Sequence, residues 1–314
     1  MRHLFMVSGL AAALGAAVSA QQGVPASPLR VVPVQGSVHL IAGAGANLTV
    51  QVGSNGVLLV DTPTPAQAPE VLAEIRKLSP QALRYIIQTS VSQDSMGGTA
   101  ALLGTAGGRG APFGFVGLNR AAVIAHEHVL NRLSRATPAT PPAALPTTTY
   151  YLPSMDFYNS EAVLLYHQPA AHTDSDTIVM FRRSDVISTG SIFTPGRYPV
   201  IDVARGGSVQ GLVSALGTVL ALAVPEAFED GGTRIVPGRG RISEETDVAE
   251  FRDMVVIVKD RVQDLVKKGS TLDQIKAARP SRDYDAEYSA SPADADRFVE
   301  SIHRSLTQKV GGGL

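Results

Sequence analysis

The sequence predicts an α/β protein in which two sheets pack against each other with helices outside. Three observations point there. Strand-like segments dominate the first part of the chain, strands and helices interleave in both halves, and the tail is helical with one apolar stripe. The chain has 314 residues, a formal net charge of −1 and 44% hydrophobic residues, ordinary globular composition for a chain of this size. A near-neutral balance gives no electrostatic case for nucleic acid as a partner. There is no cysteine, so disulfides and thiolate ligands are excluded, and only His, Asp and Glu remain to hold a metal.

The amino-terminal stretch reads as a separate unit. Arg2 and His3 precede an apolar run from Leu4 to Val18, and Val18-Ser19-Ala20 supplies small residues before Gln21. This is the pattern of a signal peptide over residues 1–20, cleaved near Ala20, with the mature protein exported to the periplasm or secreted. The run is shorter than the ~20 residues a spanning helix needs, and no later segment of the mature chain could span a bilayer. Residues 21–35 read as a flexible lead.

Strands follow at Val38–Ile41, Leu48–Val52 and Val57–Val60, the last two joined by Gly53-Ser54-Asn55-Gly56, which suits a tight hairpin. Val71, Leu72, Ile75 and Leu78 recur at helical spacing over residues 65–78, and a buried strand follows from Arg84 to Gln88. A polar loop from Thr89 to Gly98 leads into a short helix through Leu103. A strand at Ala121–Ala125, a helix near Glu127–Leu133 and an Ala/Thr/Pro-rich surface loop over 136–149 come next. Strands resume at Ala162–Tyr166, Thr177–Phe181 and Val186–Ser188, then a helix from about Ser208 to Leu222 and a strand at Arg234–Val236.

From Ser243 the text is helical, with Ser243 as the expected N-cap, acids in the first turn and Gly269 just past the end. Val248, Phe251, Val255, Val258, Val262 and Leu265 form one stripe, so this helix packs on the body. Ser291-Pro292 opens a last helix with Phe298, Ile302 and Leu306 facing inward. The chain is thus divided into a main domain over 36–242 and a helical extension of that same domain over 243–310.

Five segments, in order, resemble the metallo-β-lactamase superfamily. They are Val57-Leu58-Leu59-Val60-Asp61-Thr62; Tyr85-Ile86-Ile87-Gln88-Thr89 with Asp94 and Gly97-Gly98-Thr99; Pro169-Ala170-Ala171-His172-Thr173-Asp174-Ser175-Asp176; Thr189-Gly190-Ser191-Ile192-Phe193; and Ile235-Val236-Pro237-Gly238-Arg239-Gly240. The resemblance covers roughly residues 36–310 and implies the four-layer αβ/βα sandwich of that family, with C-terminal helices packed on it. It also maps the family's metal-ligand positions onto Ser90, Ser92, Asp94, Ser95, His172, Ser191 and Arg239, of which only Asp94 and His172 match the ligand types.

A catalytic zinc needs about three protein ligands plus a water. If ~10–16 kcal/mol of zinc affinity is shared among four ligands, each contributes roughly 3 kcal/mol, and losing most of them removes tight binding. Without the metal, no bound water is activated as a nucleophile. The expectation is therefore an exported relative of zinc hydrolases that is non-catalytic, carries no cofactor, and binds a small molecule or a protein through the old pocket. The alternative is an active metallohydrolase with zinc in an altered site, cleaving an ester, amide or lactam bond.

Several residues carry competing readings. Asp94 and Arg239 are expected to converge as an ion pair, against an Arg239 that points to solvent. His126-Glu127-His128 reads as a helix start with exposed polar side chains; the sharper reading combines Asp94, His172 and His126 or His128 in a rebuilt single-metal site. His167 is a further candidate ligand but, at a strand end, reads as structural. Ser90, Ser92, Ser95 and Ser191 near His172 allow a serine nucleophile to be drawn, but no G-x-S-x-G elbow accompanies them, and a polar pocket is the plainer reading. Asp61 reads as structural, Arg197 and Tyr198 as bordering the pocket, and the Asn47-Leu48-Thr49 sequon as chance inside a strand.

Overall fold

In the computed structural model, residues 28–106, 121–227 and 231–308 are described, so the signal-peptide reading and its cleavage near Ala20 lie outside the described residues. The first half builds β1 (Arg30–Gln35), β2 (Val38–Ala44), β3 (Ala46–Gln51), β4 (Val57–Val60), α1 (Ala68–Leu78), β5 (Leu83–Ile87), α2 (Gln93–Met96), α3 (Thr99–Ala106), β6 (Ala122–His126), α4 (Glu127–Ser134) and β7 (Thr148–Tyr150). Its strands form one sheet in chain order, β1 to β7, antiparallel as far as β4 and parallel from β4 to β7.

The second half supplies β8 (Ser154–Tyr158), β9 (Glu161–Gln168), β10 (Asp176–Phe181), β11 (Val186–Ser188), α5 (Val209–Leu222) and β12 (Arg234–Val236). These strands form a second sheet in the order β12-β11-β10-β9-β8, with only the β11–β12 pair parallel. The tail contributes α6 (Glu245–Lys267), α7 (Leu272–Ala277), α8 (Asp285–Tyr288) and α9 (Pro292–Thr307).

The core has three main layers of side chains, and they fix the architecture. Between the sheets, Leu40, Leu58, Val60 and Ile87 meet Leu165, Val179 and Phe181. On the outer face of the first sheet, Val71, Leu72 and Ile75 of α1 and Leu102 of α3 pack against Leu48, Leu59 and Ile86. On the outer face of the second, α5, α6 and α9 bury Leu216, Phe251 and Phe298 over Ile178 and Ile187. Central strands such as β4 and β10 are buried on both faces, which is why their sequences run apolar without alternation. This is a four-layer α/β sandwich with the tail helices packed on it.

Some local expectations are corrected. Residues 30–35 are an edge strand, not the end of a flexible lead, and they pair with β2 although Pro33 interrupts the register. The proposed surface loop over 136–149 contains a short 3-10 turn, Pro142–Ala144, and the start of β7. The N-cap of α6 is Glu244 rather than Ser243: the Glu244 carboxylate and the Asp247 carboxylate each accept from the other's backbone N–H in a reciprocal cap.

Phe251 ties the tail to the body. It is 1% exposed, and its ring meets Phe193 edge-on with centroids 5.1 Å apart. Phe251→Ala should lower unfolding free energy by ~3–5 kcal/mol in a single cooperative urea transition. A tail that melts separately, leaving the body's midpoint unchanged, would contradict this packing.

Candidate functional site

The parallel strands β4, β5 and β6 end on one edge of the first sheet, and β11 and β12 end on one edge of the second. The loops leaving those ends carry the residues singled out from the sequence. Asp61 terminates β4 with a left-handed backbone, φ 63, and is 4% exposed. Its carboxylate accepts from the Thr89 backbone N–H at 2.8 Å and from the Thr89 hydroxyl, fixing the start of the loop after β5. Burial outweighs these bonds and pushes its carboxyl up from an ordinary 3.8 to about 7. The structural reading of Asp61 holds.

The loop serines do not line an open pocket. The hydroxyls of Ser90, Ser92 and Ser95 bond one another at 2.9, 3.2 and 3.1 Å, and Ser95 is joined to Thr89 at 3.1 Å. All three serines are buried. The result is a closed hydroxyl cluster continuous with Asp61. The cavity in front of it, about 980 Å³, is lined instead by Asp94, His172, Ser191 and Arg239 among others.

Arg239 and Asp94 meet. Arg239 Nη2 donates to Asp94 Oδ2 at 2.7 Å, and Nη1 donates to the Gly45 carbonyl. The loop that carries Arg239 is braced by Asn47, whose side-chain amide donates to the carbonyls of Pro237 and Gly240 at 2.9 and 3.0 Å and whose backbone N–H donates to Gly238. Those bonds use both amide protons of a residue 8% exposed, consistent with a chance sequon. Two glycines allow the loops to close: a Cβ on Gly190 would lie 2.4 Å from the Thr89 hydroxyl, and one on Gly238 would lie 2.4 Å from the Gly190 carbonyl.

His172 lines the cavity, is buried, and donates from Nδ1 to the Val200 carbonyl at 2.7 Å, leaving Nε2 as its acceptor nitrogen. Among the described residues no hydrogen bond joins it to a serine hydroxyl, so the drawn serine–histidine pair has no geometric support. Behind it, Asp176 accepts from Thr173 N–H at 2.6 Å, and burial lifts its carboxyl to about 6. Tyr198 borders the cavity as expected but is held by packing: its ring stacks on Phe298 at 4.7 Å and its hydroxyl donates to Asp285 at 2.9 Å. Arg197 is exposed and forms no ion pair among the described residues.

The residues present do not fit the zinc that the family resemblance implies. Asp94 is engaged by a guanidinium, the serine hydroxyls satisfy one another, and His172 has one ring nitrogen committed to a carbonyl. One imidazole nitrogen and one carboxylate oxygen remain, short of the three or so donors a catalytic zinc takes.

The histidines depart from expectation. His126 is 2% exposed rather than a solvated helix start, and its Nδ1 accepts the His128 backbone N–H to cap α4. Asp94 and His172 do not join it. Among the described residues, the cluster with metal-ligand spacing is His126, His128 and His167, one ring nitrogen of each lying within 4.8 Å of the others. The rings of His126 and His167 stack at 3.5 Å. Burial, together with the neighbouring His167, pushes His126 down to about 4, and burial also lowers His167. His167, a candidate ligand that its strand-end position made read as structural, is the third member of the cluster. The signal was present, since His-x-His at a strand end and a third His at another strand end can meet when both strands finish on one edge.

Solved structures share the fold. A metallo-β-lactamase from Pontibacter korlensis aligns with TM-score 0.55 and 13% identity, covering 73% of this chain and 99% of that one. The stereoselective inverting sec-alkylsulfatase Pisa1 from Pseudomonas sp. aligns with TM-score 0.61 and 16% identity over 88% of this chain and 50% of that one, so the chain spans half the alkylsulfatase's length. No protein-family model and no curated protein matches the chain.

The raised carboxyl of Asp61 gives a pH signature. The folded state holds that proton more tightly than the unfolded chain, whose aspartate titrates at its ordinary value. Its contribution to stability is therefore full below about pH 4 and is lost as pH rises through about 7. Urea midpoints should fall across that window in the native protein and fall less in Asp61→Asn, the residual slope reporting Asp176. An equal slope in both proteins would refute the assignment.

Proposed function

We propose that this chain, which has the metallo-β-lactamase fold, is an exported, non-catalytic binding protein whose cavity receives a small molecule where relatives would hold metal. The contact between Arg239 and Asp94 carries this reading, because it sets a permanent positive charge against the carboxylate that a cation would need. The ion pair is half exposed and adds little to stability. Its consequence is electrostatic: a divalent ion would have to displace or repel the guanidinium.

The cavity suggests the ligand's chemistry. Tyr198, Val200, Ile201 and Phe298 give it an apolar wall, and Arg197 offers a cation with no ion pair among the described residues. A small organic acid with an apolar body matches both. Export is supported by the amino-terminal pattern; protein recovered from the exported fraction should begin at Gln21.

Two measurements test the reading. Metal content per chain should be the same in the native protein and in the Asp94→Asn/His172→Ala variant, and neither should turn over a generic ester or a cephalosporin. Loss of metal in that variant together with loss of turnover would establish the metallohydrolase alternative. The anionic dye 8-anilino-1-naphthalenesulfonate should bind the native chain and bind Arg197→Glu about tenfold more weakly. Equal binding to both would remove the ligand assignment.

A further inference from the structure

We infer that His126, His128 and His167 form a second, independent site for one late first-row divalent transition ion such as Zn²⁺ or Cu²⁺. The site is built by three elements. His126 closes β6, His128 lies in the first turn of α4, and His167 sits near the end of β9 in the opposite sheet. One nitrogen from each ring lies within 4.8 Å of the others. His128 stands edge-on to both partners, at 4.9 Å and 77° from His126 and 5.3 Å and 81° from His167. Coordination of one ion at ordinary Zn–N distances of ~2.0–2.1 Å requires the His126 ring to turn out of its parallel stack on His167, 3.5 Å away, so that its lone pair meets those of the other two.

The surroundings supply what imidazole ligands ordinarily have behind them. His128 Nδ1 and His167 Nε2 both donate to the Asp174 carbonyl, at 2.9 and 2.8 Å. Such bonds fix the tautomer and leave Nε2 of His128 and Nδ1 of His167 with free lone pairs. The carbonyl itself is held in place. The Asp174 backbone N–H donates to Arg205 at 2.9 Å, and its carboxylate accepts two bonds of 2.7 Å from Arg132. The bonds made by His126 are long, 3.4 Å to the Tyr151 carbonyl and 3.3 Å from the His128 N–H, and so are easily exchanged for a metal.

The donor set selects the ion. Three neutral imidazoles suit Zn²⁺, Cu²⁺, Ni²⁺ and Co²⁺, whereas Mg²⁺ and Ca²⁺ demand oxygen. Three protein donors also leave one coordination position for water or a small ligand. Asp174 lies between the two sites, its neighbour His172 lining the cavity while its carbonyl orients the histidine cluster. The metal site is nonetheless distinct from that cavity, since it uses none of Asp94, His172 or Arg239.

The test is calorimetric titration of the full, chelator-stripped chain with Zn²⁺. The native protein should take up one equivalent, and Mg²⁺ should give no binding. His128→Ala and His167→Ala should each weaken Zn²⁺ binding on the order of a hundredfold. Asp94→Asn/His172→Ala should bind as the native chain does. Because a histidine variant could fail to fold, Co²⁺ added to the native protein supplies a second reading: intense visible d–d bands are expected, bleached by equimolar Zn²⁺. Zn²⁺ binding that is absent, or unaltered by either histidine substitution, overturns this site and leaves the cavity reading standing. Binding lost only in the Asp94/His172 variant overturns both.

Discussion

A divalent cation and a guanidinium make opposite demands on their surroundings. The cation needs several lone pairs turned inward and accepts no donors; the guanidinium supplies donors and a charge that cannot be removed. At the shared edge of the two sheets the second arrangement is present. Arg239 donates to Asp94 and to the Gly45 carbonyl, and the hydroxyls of Ser90, Ser92 and Ser95 turn toward one another. The rest of the edge follows from this. The loop positions are set by Asp61 on Thr89, by Asn47 on the Pro237–Gly240 turn, and by the close approach that Gly190 and Gly238 permit.

The stability of the fold lies away from these loops. Three apolar layers enclose the sheets, and the tail adds a further set of aromatic contacts around Phe251, Tyr198 and Phe298. The loops at the strand ends rest on that scaffold, so their polar residues can change without disturbing it. The same edge has room for a second cluster, and histidines from both sheets gather there on the Asp174 carbonyl. Among the described residues no helix is long and apolar enough to cross a membrane.

Much of the fold was legible in the sequence because the buried strands and the α6 stripe have strong periodicity. Val57–Val60 and Ile178–Phe181 are uninterrupted apolar runs, and α6 repeats its apolar residues every three or four positions. The elements missed have weak signals for physical reasons. β1 is an edge strand containing a proline, β7 and β8 lie at the margins of their sheets with exposed residues such as Phe157, and α7 and α8 are too short to show a period. In the site, the meeting of Asp94 with Arg239 was readable, since both positions map to one metal in the resembling family. The burial of the serines behind the cavity was not, because hydroxyls satisfy one another only in three dimensions. The histidines were legible as candidates, but not their grouping: His167 reaches His126 across two sheets, and local spacing carries no information about which strand ends face each other.

That the positive charge beside Asp94 belongs to the protein, through Arg239, is tested by crystals grown with zinc and measured at the zinc absorption edge. The anomalous difference map should contain a peak among His126, His128 and His167 and none between Asp94 and His172, with Arg239 still on Asp94. A peak bridging Asp94 and His172, with the guanidinium swung away, would contradict it.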